Sequence, residues 1–403
     1  EMNMGNCDKN SLKKIAAVST LTSTASYISL VILALYINTY VSLVLTAVVI
    51  AIPSIIRAFS GFFLNNLAKI IKKEKLFLLS LLLSSSCFFL YIIAKSFIIF
   101  LLIAIVSGIS ALVYQPIAKE FFSNSASDKE SIGFVHRIRY LTICVAGLVG
   151  PVIGGFILHS CGYYMCFVLS GIISLIAIIP AYSLSTLKNC QSVSTKATLQ
   201  LKPKVIKDRL LWGYILSGFL IYLVFSQFEA VYSLALDTTF QNPAEIYSVL
   251  LSLNSLFGIL LQTLIMQKWF KLKKLSSVNM GVAFFQIGYA LFALSFLAIN
   301  TSFATLVAGV FIYSIGEVIT IPQLDIQIDR FAPNELKSEY FSLAELRTLG
   351  FVLGPILMSA ILKNCTAAFS CLINVVILLF AILINTITQK RYMQTQRREE
   401  KVQ

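Results

Sequence analysis

Residues Val145 to Ile157 read VAGLVGPVIGGFI, with four glycines and a proline inside an apolar run long enough to cross a bilayer. In water these residues are the weakest helix formers. Lipid changes the balance, because no water competes for the backbone and neighbouring helices can re-satisfy the groups that a proline frees. The missing side chains also let a second helix approach closely. The stretch therefore reads as a membrane helix that uses its glycine face as a sliding contact between halves of the molecule and its proline as a bend.

The rest of the chain agrees with a membrane setting. Of its 403 residues 58% are hydrophobic and 12% charged, and the mean hydropathy is +0.84, whereas an ordinary soluble domain is roughly one quarter charged. Twelve windows are long and apolar enough to span, near 15–37, 42–64, 76–94, 97–118, 139–160, 163–184, 210–232, 246–267, 276–298, 302–324, 340–362 and 366–388. A span needs about 20 such residues.

The net charge of +14 could suggest nucleic acid, but its placement argues for topology. With both termini in the cytoplasm, 28 of the 32 Lys and Arg fall on one side of the twelve spans. Only Lys95 and Lys363 face outward, and Arg57 and Arg347 lie within spans. Such a bias orients membrane proteins with their basic loops inside, so no nucleic-acid partner is expected. The chain is expected to be a multi-pass protein of the plasma (cytoplasmic or inner) membrane. The first 14 residues are polar and no cleavable leader is expected. The eight cysteines form no Cys-x-x-Cys or His/Cys cluster, so no metal or cofactor is expected, and Cys161 and Cys166 are close enough in sequence for a disulfide near the outer face.

A basic, polar connection at about 186–209 divides the spans into six and six. The expected organisation is a first half at 1–185, a cytoplasmic linker at 186–209, a second half at 210–390 and a tail at 391–403. The halves repeat: Gly150-Pro151 in GLVGPVIGGFIL is matched by Gly354-Pro355 in GFVLGPILMSAIL, 204 positions later. Repeated halves usually place a substrate path near the midplane.

GLVGPVIGG at 147–155, with Gly147, Gly150, Pro151, Gly154 and Gly155, resembles the fifth-helix antiporter motif of major facilitator superfamily exporters. The resemblance covers span number, the six-plus-six division, the linker and the order of motifs, and is closest to the drug:proton antiporter branch. It implies an all-α membrane protein of twelve transmembrane helices in two six-helix halves, acting as a monomer. The family's loop after span 2 reads Gly-x-x-x-Asp-Arg-x-Gly-Arg. Here Gly61 is kept, but Asn65, Asn66 and Ala68 replace the Asp, Arg and Gly. The Arg of the fourth-helix motif is Ala104. Proton coupling must then use other groups.

A charge at mid-membrane costs about 2.5–3.5 kcal/mol, so the ionisable residues inside spans mark a pathway. Arg57 and Arg347 lie at comparable depths and are read as binding an anionic, carboxylate-bearing substrate by bidentate hydrogen bonds. The competing reading pairs Arg347 with Glu345 or Asp325, and Arg57 with a carbonyl. Glu229 and Glu317 are the candidates for proton coupling. Asp325 and Asp329, with Arg330, are expected to form an inner latch. Lys119 and Glu120 read as solvated, and His136 and His159 as interfacial. Gln227, Tyr232 and Asn254 are placed on the cavity wall.

These features favour a gradient-driven secondary transporter, a proton-coupled exporter of a small anionic metabolite such as a siderophore, working by alternating access. The alternatives are a multidrug efflux pump for lipophilic compounds and an importer of the same cargo. A polytopic membrane enzyme is disfavoured, because no D-x-x-D, H-x-x-x-x-D, P-loop or Ser/His/Asp set occurs and no loop exceeds about 25 residues.

Overall fold

Long apolar runs with few polar interruptions fold into long helices. The computed structural model describes residues 9–60, 63–64, 67, 70–126, 131–185, 203–237, 243–268, 277–297, 303–362 and 364–399. In chain order its helices are α1 (Lys9–Asn38), α2 (Leu43–Ala58), α3 (Lys73–Ile93), α4 (Phe97–Asn124), α5 (Ile132–Ile176) and α6 (Ile178–Ser185). They continue with α7 (Arg209–Asp237), α8 (Pro243–Lys268), α9 (Ser277–Leu297), α10 (Phe303–Phe331), α11 (Lys337–Ala344), α12 (Gly350–Leu362) and α13 (Ala367–Glu399). Nine stretches among the described residues are long and apolar enough to cross a membrane. Two shorter apolar stretches, Val48–Ala58 and Val249–Leu264, cover the expected second and eighth spans, and α1 covers the first. The molecule is thus an all-α membrane protein in which the described residues of each of the twelve expected spans fall almost entirely on helix.

Helix α5 carries two spans, Ile132–Leu158 and Ser160–Leu184, the second running on into α6. Gly162 makes the turn between them with φ of +79°, a left-handed conformation that glycine adopts without steric cost. Cys161 and Cys166 flank this turn as free thiols, so the disulfide considered from their spacing is absent. Pro151 and Pro355 sit inside α5 and α12, each removing one intrahelical hydrogen bond.

The chain divides into two compact units. Unit 1 comprises residues 1–203 together with Asp329–Leu346, and unit 2 comprises Lys204–Ile328 and Arg347–Gln403. The short segment at the end of α10 and through α11 thus belongs by packing to unit 1, although it lies in the second half of the sequence.

In unit 1 one apolar cluster gathers Ile15, Phe77, Ile117, Phe121 and Val135. A second gathers Ile28, Tyr36, Tyr91, Phe100 and Phe167. Small polar side chains tie these helices together: Ser19 meets Thr142 at 2.7 Å and Ser29 donates to Ser170 at 2.8 Å. Such bonds substitute for water inside a membrane protein.

The glycine face of α5 packs on α1. A methyl group at Gly150 would lie 2.6 Å from Tyr27 Cβ, and one at Gly154 would lie 2.9 Å from the Ile28 carbonyl oxygen. Gly147 is in ordinary contact range of the Tyr27 ring, and nothing lies within 4 Å of a methyl placed at Gly155. The face expected to slide between halves is therefore occupied by α1 of its own unit, because only glycine leaves room for that helix.

Unit 2 repeats this arrangement around its own aromatic core of Phe225, Phe228, Tyr232, Phe285, Tyr289, Phe292 and Tyr313. There α12 packs on α7. A methyl at Gly350 would meet the Leu223 nitrogen and the Phe219 carbonyl oxygen at 2.6 Å, and one at Gly354 would meet the Leu223 carbonyl oxygen at 2.2 Å.

Candidate functional site

The buried charges of unit 1 form a network at the end of α4, the start of α5 and the Asp329–Leu346 segment. Asp329 is 1% exposed and is held from three directions. Its Oδ2 lies 2.6 Å from His136 Nε2, and its Oδ1 accepts from Ser123 Oγ at 2.8 Å and pairs with Lys337 Nζ at 2.6 Å. Lys337 also donates to Ser123 Oγ at 2.7 Å. The imidazole is completely enclosed, with the Phe341 ring 5.9 Å away.

A second carboxylate, Glu345, is 2% exposed and pairs with Lys119. Arg57 Nε lies 3.6 Å from Glu345 Oε2, beyond hydrogen-bond length, and makes no hydrogen bond among the described residues. Arg57 keeps 24% of its side chain exposed. Glu120 completes the set, accepting from Lys73 Nζ at 2.9 and 3.1 Å. Ser60 donates to the Ser342 carbonyl at 2.8 Å, anchoring α11 beside α2. The buried carboxylates Asp329, Glu345 and Glu120 of this network are each matched by a base, and removing one member of a buried pair costs about 3–5 kcal/mol.

Unit 2 holds its own polar groups. Arg347 is 1% exposed; it donates from Nη1 to the Leu324 carbonyl at 3.1 Å and pairs through Nη2 with Asp325. Its guanidinium carbon lies 5.6 Å from the centre of the Tyr222 ring, a cation–π geometry. Gly218 makes the space, since a methyl there would lie 2.9 Å from Arg347 Cδ.

Midway along α10, Glu317 is 8% exposed and accepts from Asn254 Nδ2 at 2.9 Å, while Ser314 donates to Asn254 Oδ1 at 2.6 Å. Gln227 Oε1 accepts from Asn374 Nδ2 at 2.8 Å. Tyr232 is fully buried against Phe228 and Phe292. Glu229 is exposed on unit 2, and its backbone carbonyl accepts from the Tyr247 hydroxyl.

The structure thus separates residues that the sequence had grouped. Asp325 and Asp329, expected in one latch with Arg330, part company: Asp325 holds Arg347 in unit 2, Asp329 anchors the unit 1 network, and Arg330 is exposed. Lys119 and Glu120, read as solvated, are 4% and 6% exposed, because the Asp329–Leu346 segment and α3 supply their partners. His136 is likewise buried rather than interfacial, since Asp329 accepts its ring nitrogen. Gly61 and Asn65 lie outside the described residues. Sequence reasoning did not mark Ser123, and it counted Lys337 only among the basic residues of an inner loop. Among the described residues no group of three or more His, Cys, Asp or Glu is arranged to hold a metal ion.

The fold has close counterparts among solved structures. The human organic anion transporter MFSD10 (TETRAN) superposes with a TM-score of 0.79 at 13% identity, covering 94% of this chain and 99% of that one. A bacterial homologue of the iron transporter ferroportin, in its outward-facing state, superposes with a TM-score of 0.78 at 13% identity and the same coverage. Among sequence relatives, the uncharacterized MFS-type transporter YqjV of Bacillus subtilis (strain 168) is 24% identical over 270 residues, which are 65% of this chain and 64% of that protein's length. The uncharacterized MFS-type transporter YdeE of Escherichia coli (strain K12) is 22% identical over 289 residues, 70% of this chain and 71% of that protein. The sequence model of one family, described as Major Facilitator Superfamily, matches residues 15–347. Twelve helical spans, a repeated glycine packing motif and a family match over most of the chain lead to one conclusion: the chain belongs to the Major Facilitator Superfamily of membrane transporters.

Proposed function

We propose that this transporter is a proton-coupled secondary carrier that exports a small anionic, carboxylate-bearing metabolite, of which a siderophore is one example, by alternating access in the plasma (inner) membrane, with both termini cytoplasmic. The observation that carries the reading is Arg57. A guanidinium inside a span has as its acidic neighbour a carboxylate at 3.6 Å, its Nε makes no hydrogen bond among the described residues, and it is 24% exposed. A carboxylate of the cargo would complete the bidentate contact that Glu345 leaves unmade, while Lys119 keeps Glu345 paired. Arg347, enclosed by Asp325, Tyr222 and Leu324, serves in this reading to hold α12 in place.

Protons would act at Glu317, with Glu229 as its candidate companion on α7. Glu317 accepts from the Asn254 amide, which Ser314 holds by donating to its Oδ1, and an amide can hydrogen-bond a carboxyl group in either protonation state. Carboxyl groups that change protonation inside membrane helices are the usual relays of coupled carriers.

The test uses inside-out vesicles with an imposed proton gradient, following a labelled polycarboxylate and a cationic dye. Gradient-dependent uptake of the polycarboxylate is expected in the parent, with a loss of tenfold or more in Arg57→Ala and uncoupled exchange in Glu317→Gln. Dye uptake indifferent to Arg57 would replace the reading with a multidrug pump. Gradient-driven accumulation of the polycarboxylate only in right-side-out vesicles would make the carrier an importer.

A further inference from the structure

We infer that the groove between the first turns of α7 and the last membrane-embedded turns of α13 is a binding site for an anionic phospholipid, the phosphate held between Arg209 and Arg391 and an acyl chain lying along Ile384 and Ile387. The groove encloses about 180 Å³ and is lined by Arg209, Leu210, Gly213, Ile384, Ile387, Thr388 and Arg391. Both arginines are exposed, one on each helix, so the two positive charges bracket an apolar floor. That floor exists because the helices cross closely: a methyl at Gly213 would lie 2.2 Å from Thr388 Oγ1.

The surroundings place the groove at a membrane boundary. Trp212, 41% exposed, donates its indole N–H to the Ile206 carbonyl at 2.7 Å. An exposed tryptophan with a satisfied N–H is typical of the headgroup region. Toward the apolar side, Leu216 and Leu383 continue the exposed surface of the same two helices. Toward the polar side lie the exposed Lys207 and Lys390. Asp208, which precedes Arg209, accepts from the Leu210 backbone N–H at 2.9 Å through its Oδ1. The Lys and Arg distribution reads this face as cytoplasmic, the leaflet rich in anionic lipid.

Charge complementarity and the apolar floor together select a lipid over a soluble anion. A free phosphate would use the arginines and make no contact with Ile384 and Ile387, while a zwitterionic lipid would bring its own cation against the arginines. A headgroup carrying a single net negative charge with attached acyl chains satisfies both halves of the groove. Each basic residue near a membrane surface strengthens the attachment of such a lipid by about fivefold.

The experiment measures lipid retained by the purified full-length protein in detergent, by native mass spectrometry, after equilibration with phosphatidylglycerol or phosphatidylcholine. The parent is expected to retain phosphatidylglycerol at least tenfold over phosphatidylcholine. Arg209→Gln/Arg391→Gln should lose that preference, whereas Lys75→Gln, an exposed basic residue of unit 1, should keep it. Ile387→Trp, which fills the groove and leaves both arginines in place, should also expel the lipid and provides the answer if the double variant is unstable. Equal retention of the two lipids, or a preference unchanged by both groove variants, would overturn the proposal. Displacement of the lipid by millimolar inorganic phosphate would overturn it in favour of a soluble-anion site.

Discussion

The two glycine seams make the most informative comparison in this molecule. In unit 1, α5 leans on α1 through Gly150 and Gly154; in unit 2, α12 leans on α7 through Gly350 and Gly354. Both use small residues four apart, the spacing that brings one helix face against another. They differ in what they touch. In unit 1 Gly150 faces the Cβ of Tyr27 and Gly154 faces the Ile28 carbonyl oxygen at 2.9 Å, while in unit 2 Gly350 and Gly354 face the backbone of α7 more closely, at 2.6 and 2.2 Å. A helix backbone cannot move without carrying the whole helix, so the closer backbone approach in unit 2 leaves less room for a methyl than the 2.9 Å approach at Gly154. Two similar contacts therefore differ in how much sequence change each tolerates.

Substitution should expose this difference. The largest effect is expected from Gly354→Ala, whose methyl would collide with Leu223 O and with Ser226 Oγ at 2.1 Å. A destabilisation of about 4 kcal/mol or more places it at the far end of single substitutions. Adding Ser226→Ala should restore little, because the backbone clash remains; thermal unfolding in detergent reads both. Substantial rescue would show that unit 2 tolerates change as unit 1 does.

Next comes Asp329→Asn, which leaves Lys337 and His136 facing a neutral group in a closed setting. A loss of about 3–5 kcal/mol is expected. The same method, applied to a His136→Gln background, should show strong non-additivity, since both residues belong to one network. Gly150→Ala follows at about 1–3 kcal/mol, the usual range for overpacking. Tyr27→Gly removes the clashing atom, so the Gly150 substitution should cost clearly less in that background than in the parent; an equal cost would place the strain at Ile28 or Thr24 instead. The smallest effect is Gly155→Ala, whose methyl meets nothing within 4 Å. It should stabilise the helix slightly, by less than about 1 kcal/mol, and any large loss would mean that this face is covered.

Sequence and structure agree where periodicity and composition carry the information. Helices at the twelve spans, the Gly150-Pro151 and Gly354-Pro355 repeat and the family assignment were all legible because apolar length and glycine spacing are local properties. The charge network was not. Lys119 and Glu345 are 226 positions apart, and His136 and Asp329 are 193 apart, so no local pattern announces either pair. Glu345 and Arg347 illustrate the same limit at short range. They stand two residues apart in a 3-10 turn, Glu345–Leu349, and look like natural partners. Side chains at that spacing leave a helical turn in different directions: Glu345 joins Lys119 in unit 1, and Arg347 joins Asp325 in unit 2.

The allegiance of Asp329–Leu346 to unit 1 also affects how the polypeptide could be divided. The chain passes from one unit to the other three times, near residues 203, 328 and 346. The connection at 186–209 reads in the sequence as a linker that a protease or a split gene could open to yield two self-sufficient pieces. It is only one of three stitches. A fragment beginning at Arg209 would carry with it Asp329, Lys337 and Glu345, leaving Lys119 and His136 on the other fragment with their counter-charges gone. The smallest independently folding part of this transporter is therefore expected to be the whole of it, and two co-expressed fragments should be stable together and not apart.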